Sequence, residues 1–301
     1  MNLKKLGMMA LSALTAVTLL VPGTVSADAV EGETVVTLGK DLTINQQDAI
    51  LNEMQVNRDD VTIIYVTNEE EHQYLGKYMS AATIGRRALS SAKITLTESG
   101  KGISVKTNKI TTITDSMYAN AAITAGIKDA DIYVTAPTNV SGTAALTGII
   151  KAFETATGQK IDENKKQVAN EEIVRTSELA QQIGDPNKAV QFINRVKEEV
   201  AKEKPETPEE YKDIIINISN EFNINLNEQT VNQLVQFSQN FSSLNIDWDE
   251  LKSQFETLRG DIANILNNET TRGILDTILE WLGDLFRAIG DFFTSSSSRQ
   301  Q

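Results

Sequence analysis

T-D-S-M-Y-A-N-A-A-I-T-A-G (residues 114–126), A-D-I-Y-V-T-A-P (130–137) and N-V-S-G-T-A-A-L-T-G-I-I-K-A-F (139–153) read together as helix, buried strand, small-residue turn and helix. Thr114 stands where an N-cap belongs, with Ile113 before it and Tyr118 four residues in, the spacing of a hydrophobic staple. Gly126 supplies the left-handed position that ends such a helix. Ile132, Tyr133, Val134 and Thr135 are β-branched or aromatic, as strands favour, and Pro137 stops the run. In the second helix Ala145, Gly148, Ala152 and Ala156 share one narrow face by i, i+3 and i, i+4 spacing, beside Leu146, Ile149, Ile150 and Phe153. A helix that small on one side can lie close against a sheet. The stretch therefore belongs at the centre of the fold.

Ser141 can cap the second helix. Ser141, Gly142 and Thr143 also offer free N–H groups and two hydroxyls at a helix N-terminus after a strand, which suits an anion or ligand. The competing reading is an ordinary capped turn, since no Walker lysine follows and the chain has no G-x-G-x-x-G. No cofactor is expected. An α/β hydrolase or transferase using Ser141 or Thr143 is the alternative function, but no G-x-S-x-G elbow exists. Its base would have to be His72, the sole histidine, or else a lysine or carboxylate.

Toward the N-terminus, residues 35–39 form a first strand, and Thr43 with Gln46 makes a capping box ahead of a helix striped by Ile50, Leu51 and Met54. Residues 61–66 form a second strand, apolar enough for a sheet interior. The span has the size of a right-handed βαβ unit. Thr67 and Glu70 form another capping box, and Glu69, Glu70 and Glu71 suit the first turn of its helix. Glu69 and His72 have Glu-x-x-His spacing and form a weak candidate metal pair. His72 shares a column with Leu75 and Met79, however, and one such pair is half of the four-helix motif. Residues 94–98 and 103–107 flank S-G-K-G and read as a hairpin. I-Y-V-T recurs at 64–67 and 132–135, each time between helices, which suggests a duplicated unit. The expected fold is an α/β (α+β) domain over 34–158, with a mixed sheet of two βαβα-like halves, followed by an all-α region.

The strings T-A-G-I-K-D-A (124–130), V-T-A-P (134–137) and V-S-G-T-A-A-L-T-G-I (140–149) resemble the YpuA-like family. So do V-T-L-G (36–39), V-T-N-E-E-E (66–71), Y-L-G (74–76), I-G (84–85), S-S-A (90–92) and, in the looser C-terminal half, N-I-D-W (245–248). Its members are proteins of Bacillus-type bacteria predicted to be secreted, grouped as a domain of unknown function. The resemblance implies export and a shared fold. It brings no catalytic residues.

The first residues agree with export. Lys4 and Lys5 precede an uncharged run from Leu6 to Val21, and Val25-Ser26-Ala27 is a small-x-small site, so cleavage is expected after Ala27. An uncleaved anchor is the rival reading, for which the apolar run is short of a span of about 20 residues. The chain has no cysteine, which excludes a lipidated-cysteine anchor, disulfides, thiol catalysis and cysteine-ligated zinc. Removing residues 1–27 removes two lysines and no acid, taking the formal net charge from −13 to −15. So acidic a chain repels nucleic acid, and no nucleic-acid partner is expected.

From Asp162 onward the pattern is helical: an extension over 159–204, then a helical region over 205–293 beginning at T-P-E-E (207–210), with a disordered tail over 294–301. Asp185-Pro186 opens a helix whose stripe is Ala189, Val190, Ile193, Val196 and Val200. The last helix carries a broad apolar face including Trp281, Leu282, Leu285, Phe286, Ile289, Phe292 and Phe293. It could pack on its own bundle, or meet another protein or a second copy. Peripheral membrane contact is a third reading, opposed by Asp276, Glu280, Asp284 and Asp291 against Arg287 alone on its polar side. These features point to an exported cell-envelope binding module without catalysis of its own.

Overall fold

The computed structural model describes residues 31–244, Ile246 and Ser253. The expected leader and the apolar face from Trp281 to Phe293 lie outside these residues. In chain order come β1 (Thr34–Gly39), α1 (Ile44–Glu53), β2 (Thr62–Val66), α2 (Asn68–Leu75), α3 (Ala81–Ile84), β3 (Ser91–Leu96) and β4 (Ile103–Thr107). Then follow α4 (Asp115–Ala125), β5 (Ala130–Thr135), α5 (Thr143–Thr157), α6 (Glu163–Ile183), α7 (Pro186–Glu203), α8 (Pro208–Glu221) and α9 (Glu228–Ser242).

The strands form one mixed sheet in the order β2-β1-β3-β5-β4. β1 and β2 are parallel, as are β4 and β5, while β3 runs antiparallel to both inner neighbours. The two βαβα-like halves are thus present as β1-α1-β2-α2 and β4-α4-β5-α5. The expected hairpin is not. β5 inserts between β3 and β4, with Ile94 opposite Ile132 on one side and Val105 opposite Ile132 on the other. Asp129 fixes the insertion, its carboxylate accepting from the Gly100 and Gly102 amides in the turn that joins the split arms. β2 is likewise an edge strand rather than an interior one. Its Ile63, Ile64 and Tyr65 are only half-buried.

Alternation assigns each face of the sheet its own cover. Val35, Ile94, Ile132 and Val134 pack with α4 and α5, and the same apolar core continues through α6, α7, α8 and α9. Val36, Leu38, Ile63 and Tyr65 point the other way and meet Ile50, Leu51 and Met54 of α1. Both crossovers step across the sheet in the same direction, yet α1 and α4 lie on opposite faces. The two βαβ units therefore differ in hand, and one of them departs from the usual right-handed rule. The repeated I-Y-V-T does not extend to a symmetric duplication. Its first copy is on an edge and its second in the interior.

α5 is held tightly to the sheet. A Cβ on Gly148 would lie 2.4 Å from the Thr37 hydroxyl of β1, which explains the small-residue face. α4 begins at its Thr114 cap and ends at Gly126 in the left-handed region, φ 88°. Asp162, Asp185 and Thr207 cap α6, α7 and α8.

Glu53, the last residue of α1, ties the thinly covered face together. Its Oε1 accepts from Thr135 at 2.6 Å, Asn108 at 2.9 Å and Tyr133 at 3.0 Å, and its Oε2 pairs with Lys109 at 2.9 Å. Burial alone would raise its pKa, but the bonds from Thr135, Lys109, Asn108 and Tyr133 outweigh it and bring the value down from 4.5 to about 2. A carboxyl depressed in this way stabilises the fold above its unfolded pKa and loses that contribution as pH falls through the folded one. The loss is expected between pH 4.5 and about 2. Carboxyl-carbon NMR titration should place Glu53 low in the parent and higher in Thr135→Val and Tyr133→Phe. A parent Glu53 that titrates at its ordinary value would remove this tie from the account.

Candidate functional site

The turn into α5 is built differently from the expected serine cap. Gly142 occupies the N-cap position with φ 101° and no side-chain cap bond, and helix α5 starts at Thr143. A Cβ there would fall 2.3 Å from the Tyr118 hydroxyl, which donates to the Gly142 carbonyl at 2.6 Å, so only glycine fits. Ser90, just before β3, supplies the cap from outside, its hydroxyl accepting from the Ala145 amide at 3.0 Å. Ser141 is left half-buried, its hydroxyl 3.4 Å from that of Thr143.

Thr143 faces a buried acid. Its hydroxyl donates to Glu71 Oε1 at 2.8 Å, while Asn68 donates to Glu71 Oε2 at 3.0 Å. Glu71 is 1% exposed, and burial raises its pKa despite the Asn68 and Thr143 bonds. The three neighbouring acids of α2 thus have separate fates. Glu69 is exposed, Glu70 reaches back to the Thr67 amide as a capping-box partner, and Glu71 turns inward.

These groups line a pocket of about 340 Å³ between α2, the segment 83–90 and the turn into α5. Ser141, Gly142 and Thr143 form one wall, and Arg86 and Arg87 form part of the other. Both arginines are exposed, and neither makes an ion pair among the described residues. The free end of α5 and two guanidinium groups therefore meet in one cleft of an acidic chain, an arrangement that favours negative charge. His72 sits at the margin. Its Nε2 lies 3.0 Å from the Gly85 carbonyl, which makes Nε2 the donor and engages that nitrogen there. Glu69 and His72 gain no third His, Cys, Asp or Glu at metal-binding range among the described residues.

Sequence reasoning reached Ser141, Gly142 and Thr143 but missed Ser90, Arg86, Arg87 and the inward Glu71. A legible signal existed for one part: adjacent arginines between Gly85 and Ala88 are conspicuous in a chain with net charge −13.

The chain matches the family model described as "Protein of unknown function (DUF1002)" over residues 38–258. It is 41% identical over 289 residues to "Uncharacterized protein YpuA" of Bacillus subtilis (strain 168), covering 96% of this chain and 98% of that one. No solved structure matches significantly. The chain belongs to the DUF1002 family.

Proposed function

We propose that the protein is exported, loses residues 1–27, and serves in the cell envelope as a non-enzymatic binding module that takes an anionic group into the pocket at the start of α5. One observation carries this reading: Arg86 and Arg87, without acidic partners among the described residues, share a cleft with Ser141 and the amide end of α5. Guanidinium groups and helix N-termini each favour oxyanions, and here they coincide. The Thr143 hydroxyl and the imidazole are meanwhile engaged elsewhere, Thr143 with Glu71 and His72 with Gly85. In this reading the apolar face of Trp281, Leu282, Leu285, Phe286, Ile289, Phe292 and Phe293 supplies contact with another protein or a second copy, rather than with anionic lipid.

Inorganic phosphate added to the exported form should shift the backbone amides of Thr143 and Ala144, and an Arg86→Ala/Arg87→Ala variant should abolish the shift. Phosphate without effect on these amides, or an unchanged response in the double variant, would overturn the site. N-terminal sequencing of the exported form should begin at Asp28; a retained Met1 or Lys4 would make the leader an anchor.

A second reading has one specific support. Thr143, Glu71 and Asn68 are linked as hydroxyl, carboxylate and orienting amide, the order a hydrolase or transferase nucleophile needs. Thr143 is only 4% exposed, which argues for a tie between α2 and α5 instead. Ester or phosphoester turnover that Thr143→Val removes while the fold persists would favour the enzyme.

A further inference from the structure

Glu71 is buried without a cation. Four carboxylates among the described residues are buried: Glu71, Glu154, Glu171 and Glu172. Glu154 pairs with Lys166, Glu171 lies 3.7 Å from Arg175, and Glu172 pairs with Lys197. Glu71 has only two neutral donors, the Thr143 hydroxyl and the Asn68 amide, and makes no ion pair among the described residues. A carboxylate so placed needs either a counter-charge or a proton. Burial raises its pKa accordingly, against the pull of the Asn68 and Thr143 bonds.

The charges packed around α2 are otherwise committed. On that helix Glu70 pairs with Lys151, Glu69 is exposed, and His72 holds the Gly85 carbonyl. From the turn between β1 and α1, Asp41 accepts from the Ala88 amide at 2.8 Å. α3 carries no charged residue. On α6, Lys166 pairs with Glu154 and Glu163, and Arg175 with Glu171 and Glu178. Tyr118 of α4 stays protonated, because burial pushes its pKa up. That leaves Arg86 and Arg87, which line the same pocket as Glu71 and make no ion pair among the described residues.

We propose that anion binding in the arginine pocket is coupled to protonation of Glu71, so that the site holds its ligand more tightly as pH falls. The coupling rests on the anion-binding reading of that pocket. An anion on Arg86 and Arg87 uses the positive charge that otherwise offsets Glu71, and it adds a negative charge to the same cleft. Both changes favour the neutral acid. By linkage, a ligand that draws a proton onto Glu71 is itself favoured by a higher proton concentration. The ionised carboxylate repels the ligand at high pH, and the repulsion vanishes as pH falls through the folded pKa. Burial holds that pKa above the ordinary value of 4.5, so the change in affinity lies on the neutral side of it.

Sulfate is the probe, because its charge is constant in this range whereas that of phosphate is not. Its affinity for the full chain, read by the Thr143 and Ala144 amide shifts, should rise about tenfold or more from about pH 8 to about pH 5, the effect of one charge acting over several ångströms of protein. Calorimetry in buffers of different ionisation enthalpy should show net proton uptake on binding, a measurement that needs no variant. Glu71→Gln keeps the shape and removes the charge. It should bind sulfate at the higher pH about as tightly as the parent does at the lower, with the uptake lost. The imidazole of His72 is common to both proteins, so the part of the pH response that disappears belongs to Glu71. Equal binding by the parent at both pH values, binding without proton uptake, or a variant that keeps the parent's full pH response would overturn the coupling and leave the pocket standing. Sulfate that moves these amides in neither protein at either pH would overturn the pocket and the coupling together.

Discussion

Lys197→Met should lower the stability by about 3–5 kcal/mol, the usual cost of leaving one member of a buried ion pair alone. Lys197 and Glu172 are 1% exposed or less and lie between α6 and α7, with the ammonium donating to Glu172 Oε1 at 2.5 Å and to Thr124 of α4 at 3.0 Å. Thr124 in turn donates to Glu172 Oε2 at 2.5 Å, closing a triangle across three helices. Asn120 and Asn194 form a mutual amide pair between α4 and α7. Burial pushes the Lys197 pKa down and Glu172 holds it up against that. Removing the lysine strands a carboxylate, whereas Lys197→Met/Glu172→Leu replaces the pair with apolar volume and should recover most of the loss.

Urea denaturation of the parent, single and double variants measures both effects. A single variant as stable as the parent, or a double variant no better than the single, would show that the pair does not hold the helical layer in this way.

Much of the local structure was legible because its causes are local. Thr43, Thr67, Thr114, Asp185 and Thr207 cap the helices that follow them, and each lies within a few residues of the amides it serves. Strand partners were not legible. The alternation in residues 91–107 fixes which side chains face the core, but it contains no information on which strand lies alongside. A glycine-bearing turn between two such runs predicts a hairpin, yet β5 can satisfy both edges and buries Ile132 and Val134 by doing so. Ser141 failed as a cap for a related reason. The group that bonds the Ala145 amide is Ser90, 55 residues away in sequence. Lys197 left a faint trace, standing four residues after Ile193 on the apolar stripe of α7. Spacing can mark such a lysine as inward-facing, but its acid partner in α6 is known only once the helices are packed.

Gly148→Leu should destabilise the protein by about 1–3 kcal/mol or more, and by more than His72→Ala does. On propensity alone the expectation would be reversed, since glycine inside a helix is about 1 kcal/mol worse than alanine. Contact decides the sign. A Cβ at position 148 would stand 2.4 Å from Thr37 Oγ1, 3.1 Å from Thr37 Cβ and 3.5 Å from Val66 Cγ2. Thr37 is 1% exposed in the middle of β1, and its hydroxyl donates to the Ala92 carbonyl at 3.3 Å, so it cannot turn aside without losing that bond. A leucine side chain must lift α5 from the sheet, and with it the turn that carries Ser141 and Thr143. His72→Ala removes one partly exposed bond to Gly85, worth about 0.5–1.5 kcal/mol. The coupling can be measured directly. Thr37→Ala should soften the cost of Gly148→Ala, because it clears the hydroxyl that the new methyl would strike, and the double-mutant cycle should show the two sites interacting. Chemical denaturation ranks the variants. If Gly148→Leu is silent, or Thr37 and Gly148 act additively, α5 does not press on β1 as described and the small-residue face has another cause.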